Sequence, residues 1–512
     1  ASYNLKDFSL EVEGVDFINA ADAKIIPDKG KLNVRANGLI DSFSNAIIIC
    51  DTINQNHKIT KARVLIKGRK DYTASGFYEY NIPGKNQEIA FSSIIGQRVG
   101  KGLMSQKATA TRAQGEIEPL DDFRIDSKTG FYGKIGLASE DVKLSFDGFA
   151  RLESSSIENN SWFRLNTKAD KKNLVIEANR PKDPEGYFLE TGFFLSAENA
   201  DIYPRFLQPL VQRKDRPIFP ANGFIRYERL KDQFLFGDST CVLNGVCTDN
   251  LLILDDKTAR IMAEGNFSLA SGLKMAEVKA TGILKTTIPP SQELADTGEV
   301  QKMILDLDLI LGLKLNIPEK FLRMMENEMA SAAYGSEPIA YLSDLDFYNK
   351  MLTRILGNSE ETKEVLSQLS SGFFEIPAKL NPYSFLFGNV KLKWDYEYQA
   401  FINANTNVGL ISLGGKPISK KVNTFIEIKM PANNDDRIYV YMKLPNDIYY
   451  YFGLRKGFLE VNSNDSRFQD ELMKTKKPDL LLKMPNGEVL EIQPVESNRA
   501  QMFMRRAMSA GK

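Results

Sequence analysis

Residues able to carry out acid–base or nucleophilic chemistry are few in this chain. His57 is the one histidine among the 512 residues, so any mechanism of the Ser-His-Asp or Cys-His type would have to use it. It follows Asn54, Gln55 and Asn56 in a polar stretch, and the sequence contains no Gly-x-Ser-x-Gly nucleophile elbow. We therefore interpret His57 as a solvated turn residue, and we predict no catalytic residue and no histidine-based metal site.

Paired carboxylates are the other route to catalysis. Asp306 and Asp308 are two residues apart in the alternating stretch 303–315, which would place both on one face of a strand about 7 Å apart. General acid and base pairs in glycoside hydrolysis use comparable separations. The same spacing arises on the solvent side of any amphipathic strand, and we favour that interpretation.

Tyrosines provide the candidate binding face. Tyr439 and Tyr441 alternate onto the same side of a strand as Lys443, and Tyr450 follows the turn at 444–447. Exposed tyrosines can stack on sugar rings or on a partner protein. Tyr439, Tyr441, Lys443 and Tyr450 form the candidate binding face, and we favour packing of these aromatics inside the sheet as the competing interpretation.

Cysteine chemistry is limited to three residues, Cys50, Cys241 and Cys247, which are too few for a disulfide framework. Asn244-Gly245 between apolar residues is a strong signal for a two-residue hairpin, and such a turn would not place Cys241 opposite Cys247. A looser loop would bring the two sulfurs together, so a disulfide stays open. No further Cys or His stands nearby to complete a zinc site, and we predict no cofactor.

Composition restricts the class of partner. Sixty-six basic residues balance sixty-six acidic ones, whereas a nucleic-acid-binding protein normally carries a basic excess. We predict no nucleic-acid partner. No apolar run reaches about 18 residues, so we predict no transmembrane helix. The chain begins Ala1-Ser2-Tyr3 without Met or an apolar leader, and we expect a mature or excised segment.

Alternation with a period of two predicts strands through most of the chain. In 61–67, Ala62, Val64 and Ile66 share one face, charged residues take the other, and Leu65 is an apolar exception. Five glycines recur beside apolar or aromatic residues, and we interpret each as the start of a strand. They are Gly76, Gly148, Gly223, Gly265 and Gly282.

Helical spacing appears only in a middle segment and at the C-terminus. We therefore predict a mainly β fold of stacked or sandwich-like antiparallel sheets in two blocks, with a small helical insert between them. The predicted ranges are a β-rich block at 1–285, a linker or surface loop at 286–300, a strand at 301–316, the helical insert at 317–372, and a second β-rich block at 373–512 that ends in a short basic helix.

Four short segments resemble known envelope proteins. Residues 68–80, Gly-Arg-Lys-Asp-Tyr-Thr-Ala-Ser-Gly-Phe-Tyr-Glu-Tyr, with Asn45-Ala46, His57-Lys58-Ile59 and the Tyr-Tyr-Tyr-Phe block at 449–452, are similar to large, uncharacterised, β-rich cell-envelope proteins of the Bacteroidota. The resemblance implies a location in the periplasm or outer membrane of a Gram-negative bacterium, and it transfers no active site. The glycine units show a looser similarity to envelope lipid-transport β-scaffolds, which implies an apolar groove.

From these features we expect a non-catalytic cell-envelope scaffold or assembly protein whose partners are other envelope proteins. Two alternatives stay open. One is a lipid-binding or lipid-conducting β-groove protein. The other is a glycan-binding or glycan-cleaving protein centred on the tyrosine face or on Asp306 and Asp308.

Overall fold

The structure is a computed structural model that describes residues 1–4, 9–35, 38–98, 109–158, 161–169, 174–245, 247–289, 301–334, 344–357, 359–371, 375–403, 406–485 and 487–510. The chain divides into two compact units. Unit 1 comprises residues 1–189 and 225–230, and unit 2 comprises residues 190–224 and 231–512. The fold is mainly β with antiparallel sheets and few helices, which confirms the predicted fold class.

Unit 1 consists of short strands near its start followed by long ones. The strands are β1 (Ser2–Asn4), β2 (Ser9–Val12), β3 (Ile18–Ala20), β4 (Ala23–Ile26), β5 (Leu32–Val34), β6 (Phe43–Cys50), β7 (His57–Gly68), β8 (Asp71–Glu79), β9 (Glu88–Arg98), β10 (Thr109–Ile117), β11 (Arg124–Asp126), β12 (Thr129–Ala138), β13 (Leu144–Leu152), β14 (Phe163–Ala169) and β15 (Ile176–Ala178). Its main sheet has the order β3-β4-β6-β7-β8-β9-β10-β12-β13-β14, with β11 beside β12.

Strand β7 shows why this sheet forms. Ala62, Val64 and Ile66 are buried while Leu65 is exposed, so the predicted half-buried strand is confirmed. Apolar side chains on one face of such a strand are removed from water, and the polar residues between them stay hydrated.

Unit 2 contains the remaining strands and the helices. They are β16 (Glu190–Leu195), β17 (Ile202–Gln208), β18 (Arg216–Pro220), β19 (Gly223–Glu228, whose residues from Ile225 belong to unit 1), β20 (Gln233–Gly237), α1 (Ser239–Asn244), β21 (Leu251–Asp255), β22 (Arg260–Phe267), β23 (Glu277–Thr287), β24 (Asp306–Lys314), α2 (Glu319–Ser331), α3 (Leu345–Leu356), α4 (Ser359–Ser371), β25 (Phe385–Asp395), β26 (Ala400–Asn403), β27 (Asn407–Leu413), β28 (Lys416–Lys429), β29 (Arg437–Lys443), β30 (Tyr449–Arg455), β31 (Phe458–Ser463), α5 (Ser466–Lys474), β32 (Leu481–Lys483), β33 (Val489–Pro494) and α6 (Ser497–Ala510).

The main sheet of unit 2 is continuous across the predicted linker. From β20 its order is β20-β21-β22-β23-β24-β25-β26-β28-β29-β30-β31-β33-β32, with β27 beside β25 and β28. We expected 286–300 to separate two β-rich blocks, yet β23, which extends into this range to Thr287, and β24, which follows it, are antiparallel neighbours. Residues 290–300 lie outside the described residues. Helices α2, α3 and α4 fall within the predicted insert at 317–372.

Glycines of the predicted strand-start units mostly lie inside strands, so that interpretation is wrong for all but Gly223, the first residue of β19. Gly265 of β22 and Gly282 of β23 are directly opposed. A Cβ built on Gly282 would lie 2.1 Å from the carbonyl oxygen of Asp308 on the next strand. Close approach of neighbouring backbones therefore requires glycine here.

One face of the unit 2 sheet supports two helices, and we call it the helix-bearing face. A single cross-strand row runs along it through the opposed residues Met262, Lys285, Asp306, Lys393, Ile402, Glu427, Tyr439, Gly453 and Glu460. Helix α3 packs near β22 to β25, where its Arg354 pairs with Glu264 of this face. Helix α6 packs over β28 to β31. None of the helices in the described part of the chain combines the length and apolar composition that a membrane crossing requires.

Candidate functional site

Part of the helix-bearing face is covered by no helix of the described chain. An open depression of about 710 Å³ lies there, at the ends of β20 to β24. Its volume falls within the range of about 300–1,000 Å³ that small-molecule sites occupy. We refer to it as the depression.

Apolar side chains form the floor of the depression. Ile253 and Met262 are directly opposed on β21 and β22, and both are half-buried. Ile288 and Pro289, after β23, and Ile304, before β24, add apolar surface beside the floor. Ile304 is 69% exposed, so this surface is accessible to a ligand.

Charged side chains surround that floor. Arg260 lies opposite Asp255, in the row next to Met262, and Lys285 lies directly opposite Met262. Asp255 is engaged locally, because it accepts hydrogen bonds from the Thr258 amide and hydroxyl at 2.9 and 2.7 Å. Within the described residues, neither Arg260 nor Lys285 has a carboxylate oxygen within 4.0 Å in an ion pair. The rim therefore offers two cations beside an apolar surface.

Asp306 and Asp308 lie on this face between lysines. Asp306 is flanked by Lys285 and Lys393 on the neighbouring strands, and its carboxylate is 3.8 Å from the Lys393 ammonium. Asp308 is opposite Lys391. Burial raises the pKa of Asp308, and Lys391 and Lys285 act against that rise. Asp306 lies on the solvent side of its strand, as the favoured interpretation predicted, whereas Asp308 is half-buried.

The tyrosines of the predicted binding face are not exposed. Tyr439 and Tyr441 are 3% and 4% exposed, because α6 covers them. Tyr450 is fully buried on the opposite side of β30, where its ring packs against Phe468 and its hydroxyl donates to Asp465 at 3.0 Å. The candidate exposed face is therefore wrong, and the favoured interpretation of aromatic packing accounts for these tyrosines.

Lys443 is the fourth residue of that predicted face. It is half-buried and pairs with Asp447 at 2.7 Å, so it closes the turn between β29 and β30. The burial of the tyrosines has a physical reason that alternation does not show. Alternation indicates which residues share a face, whereas α6, about 60 residues later in the chain, determines whether that face is exposed to water.

Helix α6 binds the sheet through an apolar stripe and two arginines. Ala500, Phe503 and Ala507 are buried against the tyrosines. Arg506 donates from Nε and Nη2 to the Glu427 carboxylate at 2.8 to 3.1 Å. Arg499 donates in the same way to Glu460 at 3.1 and 3.4 Å.

His57 is a buried residue rather than the solvated turn residue that we predicted. Its side chain is 1% exposed. Nε2 is 2.6 Å from the carbonyl oxygen of Asp141, and Nδ1 is 3.3 Å from the hydroxyl of Tyr78. Burial lowers the pKa of His57. With both ring nitrogens in hydrogen-bonding distance of protein groups, the geometry assigns His57 a role in joining β7 to the 139–141 turn.

Asn244-Gly245 ends a helix, so the predicted hairpin is wrong. The Asp238 carboxylate accepts from the amides of Thr240 and Cys241 and starts α1, and Gly245 terminates it in the left-handed conformation. Cys241 and Cys247 are joined by a disulfide across a Cα distance of 4.4 Å. The helical turn brings the two cysteines together where a two-residue hairpin would not.

Other chemistry is scarce in the part of the chain that the structure describes. No group of three or more His, Cys, Asp or Glu side chains there is arranged to hold a metal ion. Cys50 is a buried thiol, and burial raises its pKa to about 12. A thiol with such a pKa is a poor nucleophile at neutral pH.

Comparisons with known proteins add no family. No family model matches this chain, and neither a curated protein nor a solved structure matches it. The resemblance to β-rich envelope proteins therefore stays a prediction, and functional inference rests on the geometry of the depression and of the α6 contact.

Sequence reasoning missed the depression because its parts are distant in the chain. Ile253, Met262 and Lys285 belong to three strands, and only their register makes them neighbours. The sequence did contain one signal. Met262 and Lys285 are next to the buried Ala263 and Leu284, so alternation places both on the opposite face of the sheet.

Proposed function

We propose that this chain is a non-catalytic lipid-binding protein of the bacterial cell envelope, and that the depression receives its ligand. The carrying observation is the placement of Arg260 and Lys285 beside the apolar floor of Ile253 and Met262. A ligand that matches both features has an apolar chain and an anionic head group. Its chain would displace water from the floor, which favours binding, and its head group would pair with the cations.

A binding role is favoured over conduction along a groove. The opposite face of the same strands is filled by side chains, since Leu252, Ala263, Leu284 and Leu309 are fully or almost fully buried. We therefore propose a binder of single lipid molecules.

The Cys241–Cys247 disulfide supports the envelope location. Disulfides persist in oxidising compartments such as the bacterial periplasm and are rare in the cytosol. A periplasmic location fits both the disulfide and a lipid ligand.

The test is a titration of the purified full chain with a fluorescent fatty acid. We expect saturable binding that Met262→Asp abolishes, because a carboxylate in the floor opposes both the chain and the anionic head. Arg260→Ala and Lys285→Ala should each weaken binding by about three- to fivefold, which corresponds to a solvent-exposed charge pair of under ~1 kcal/mol.

Two controls make the titration specific. Lys476→Ala removes an exposed cation elsewhere in unit 2 and should leave binding unchanged. A fluorescent fatty alcohol of equal chain length should bind without sensitivity to Arg260→Ala. If wild-type protein and the Met262→Asp variant bind the fatty acid equally, the depression is not the lipid site and the proposal fails.

A further inference from the structure

The surface beneath α6 has the features of a receptor for a helix. Its aromatic members are Phe425, Tyr439, Tyr441, Tyr449 and Tyr451, and we call it the helix-docking face. Tyr441 and Tyr449 are stacked at a ring separation of 5.1 Å, and Phe503 of α6 lies 5.4 Å from Tyr439.

Two carboxylates mark the ends of the helix-docking face. Glu427, Tyr439, Gly453 and Glu460 are successive members of one cross-strand row on β28 to β31. Three strand spacings of about 4.8 Å separate the two carboxylates. Seven residues separate Arg499 from Arg506, a rise of about 10.5 Å along a helix, and the long arginine side chains span the remainder.

Glycine at the centre of that row makes room for the aromatic rings. A Cβ on Gly453 would lie 2.9 Å from the Tyr439 ring and 2.8 Å from the Tyr451 hydroxyl. The flat floor between the two carboxylates therefore depends on the absence of a side chain at this position.

Glu427 depends on α6 for its cation. Glu427 is fully buried and Glu460 is 3% exposed. The hydrogen bonds of the Glu427 carboxylate come from Arg506, whose guanidinium also lies 5.6 Å from the Tyr439 ring. A buried carboxylate without a cation is strongly unfavourable, so the face selects a helix with an arginine at the position of Arg506. Glu460 also accepts a hydrogen bond from the Tyr451 hydroxyl at 3.0 Å and lies 3.4 Å from Arg455 of the sheet, so Arg499 adds a second cation to it.

Contacts of α6 are confined to one side of the helix. Met502 and Met508 are 65% and 53% exposed, and Arg505 is exposed between them. Only Val495 and Glu496 connect α6 to β33, and α6 is the last element in the described chain. Its departure would leave the order of the strands intact.

We propose that the helix-docking face accepts α6 from a second copy of this chain as well as its own, so that two copies join by reciprocal exchange of α6. The occupant follows from charge and shape: the two carboxylates and the aromatic floor fit Arg499, Phe503 and Arg506, and a second copy presents the same residues at the same spacing. Exchange of an identical element is a low-cost route to a dimer, because the contacts are those of the monomer. The local concentration of the tethered helix favours the monomer at low protein concentration.

Charge reversal in separate chains tests the exchange. A Glu427→Arg chain repels its own Arg506, and an Arg506→Glu chain presents a carboxylate to its own Glu427. Each variant alone should be monomeric in light scattering. An equimolar mixture should form a dimer of one chain of each kind, because exchange restores an oppositely charged pair at both faces.

The matched control replaces Arg506→Glu with Arg505→Glu. Arg505 is on the exposed side of α6, so its mixture with the Glu427→Arg chain should stay monomeric. A single chain with both Glu427→Arg and Arg506→Glu should be a folded monomer, which establishes that the reversed pair is compatible with docking.

A second measurement covers the case in which the reversed pair does not fit. A fluorescent peptide of residues 497–510 should bind the full-length Arg506→Ala variant saturably, and at least tenfold more tightly than the wild-type chain, whose face is occupied. The same peptide carrying Arg506→Ala should not bind, whereas the peptide carrying Arg505→Ala should. Where the doubly reversed chain is a folded monomer, a mixture that stays monomeric overturns the proposal. Where that chain does not fold, failure of the peptide to bind overturns it.

Discussion

Asp306 and Glu427 belong to one cross-strand row of one sheet, yet they exist in opposite environments. Asp306 is exposed at the rim of the depression, and its nearest cation, Lys393, is 3.8 Å away. Glu427 is fully buried under α6 and accepts hydrogen bonds from Nε and Nη2 of Arg506. The two strands between them, β25 and β26, carry Lys393 and Ile402 in the same row.

Asp306 and Glu427 differ because α6 covers only Glu427, and the sheet beneath them is the same. An exposed carboxylate is stabilised by water, and an ion pair adds little to that. A carboxylate under a helix has lost its water, and its partner must come from the helix itself. The sheet therefore has an open region suited to a ligand and a covered region suited to a helix.

The largest effect should follow removal of the cation in the covered region. Arg506→Ala leaves Glu427 buried without a partner, and such changes cost roughly 3–5 kcal/mol. We expect the free energy of unfolding of unit 2 to fall by that amount in urea titrations followed by the fluorescence of Trp394, in a Trp162→Phe background that silences unit 1.

Arg505→Ala is the matched control for that measurement. It removes an arginine from the exposed side of the same helix, so the urea midpoint should stay that of the parent protein. Equal losses for Arg505→Ala and Arg506→Ala would mean that helix propensity, and not the buried ion pair, holds α6 in place.

A smaller, pH-dependent effect is expected at Asp308 beside the open region. Burial raises its folded-state pKa, so the folded chain prefers the protonated form more than the unfolded chain does. The stabilisation that results is fully present below the unfolded pKa near ~3.9 and is lost as pH rises through the folded pKa.

Comparison with Asp308→Asn isolates this effect. Because asparagine stays neutral, the variant should gain stability relative to wild-type protein as pH rises above about 4, by under ~1 kcal/mol since the group is half-exposed. The measurement is the free energy of unfolding of both proteins between acidic and neutral pH. A difference that shifts toward wild-type protein with rising pH would show that Lys391 and Lys285 dominate over burial.

The contrast between the two regions also shows what the sequence could predict. Alternation assigned Tyr439 and Tyr441 correctly to one face of a strand, and it assigned Asp306 and Asp308 to one face as well, because the period of two is a local property. It could not show that α6 covers the first pair. That contact joins Tyr439 to Phe503, residues that no local pattern relates.

Local signals also gave wrong predictions where the same residue type suits two kinds of local structure. Asn244-Gly245 is typical of a hairpin, but glycine in the left-handed conformation ends a helix equally well, and the Asp238 cap decides for the helix. Gly282 was interpreted as a strand start, whereas it lies in the middle of β23, where the close carbonyl of Asp308 leaves no room for a side chain. In both cases the deciding partner lies outside the short window that suggested the prediction.

The smallest effect should occur at Lys393, which lies in the row between the two regions. Its ammonium is 3.8 Å from Asp306, and both side chains are more than half exposed, so the pair contributes only about 0–0.5 kcal/mol. We expect Lys393→Ala to leave the urea midpoint of unit 2 almost unchanged at physiological salt, and to have no measurable effect at 1 M salt, where screening acts within about 3 Å.

Removal of this cation should still weaken ligand binding in the neighbouring depression, because Asp306 then lacks one of its two flanking lysines and repels an anionic head group more strongly. Weaker binding of the fluorescent fatty acid at unchanged stability would show that the Asp306–Lys393 pair acts in ligand binding and not in folding. A loss of stability as large as that of Arg506→Ala would instead mean that charge pairs stabilise the open region in the same way as the covered one.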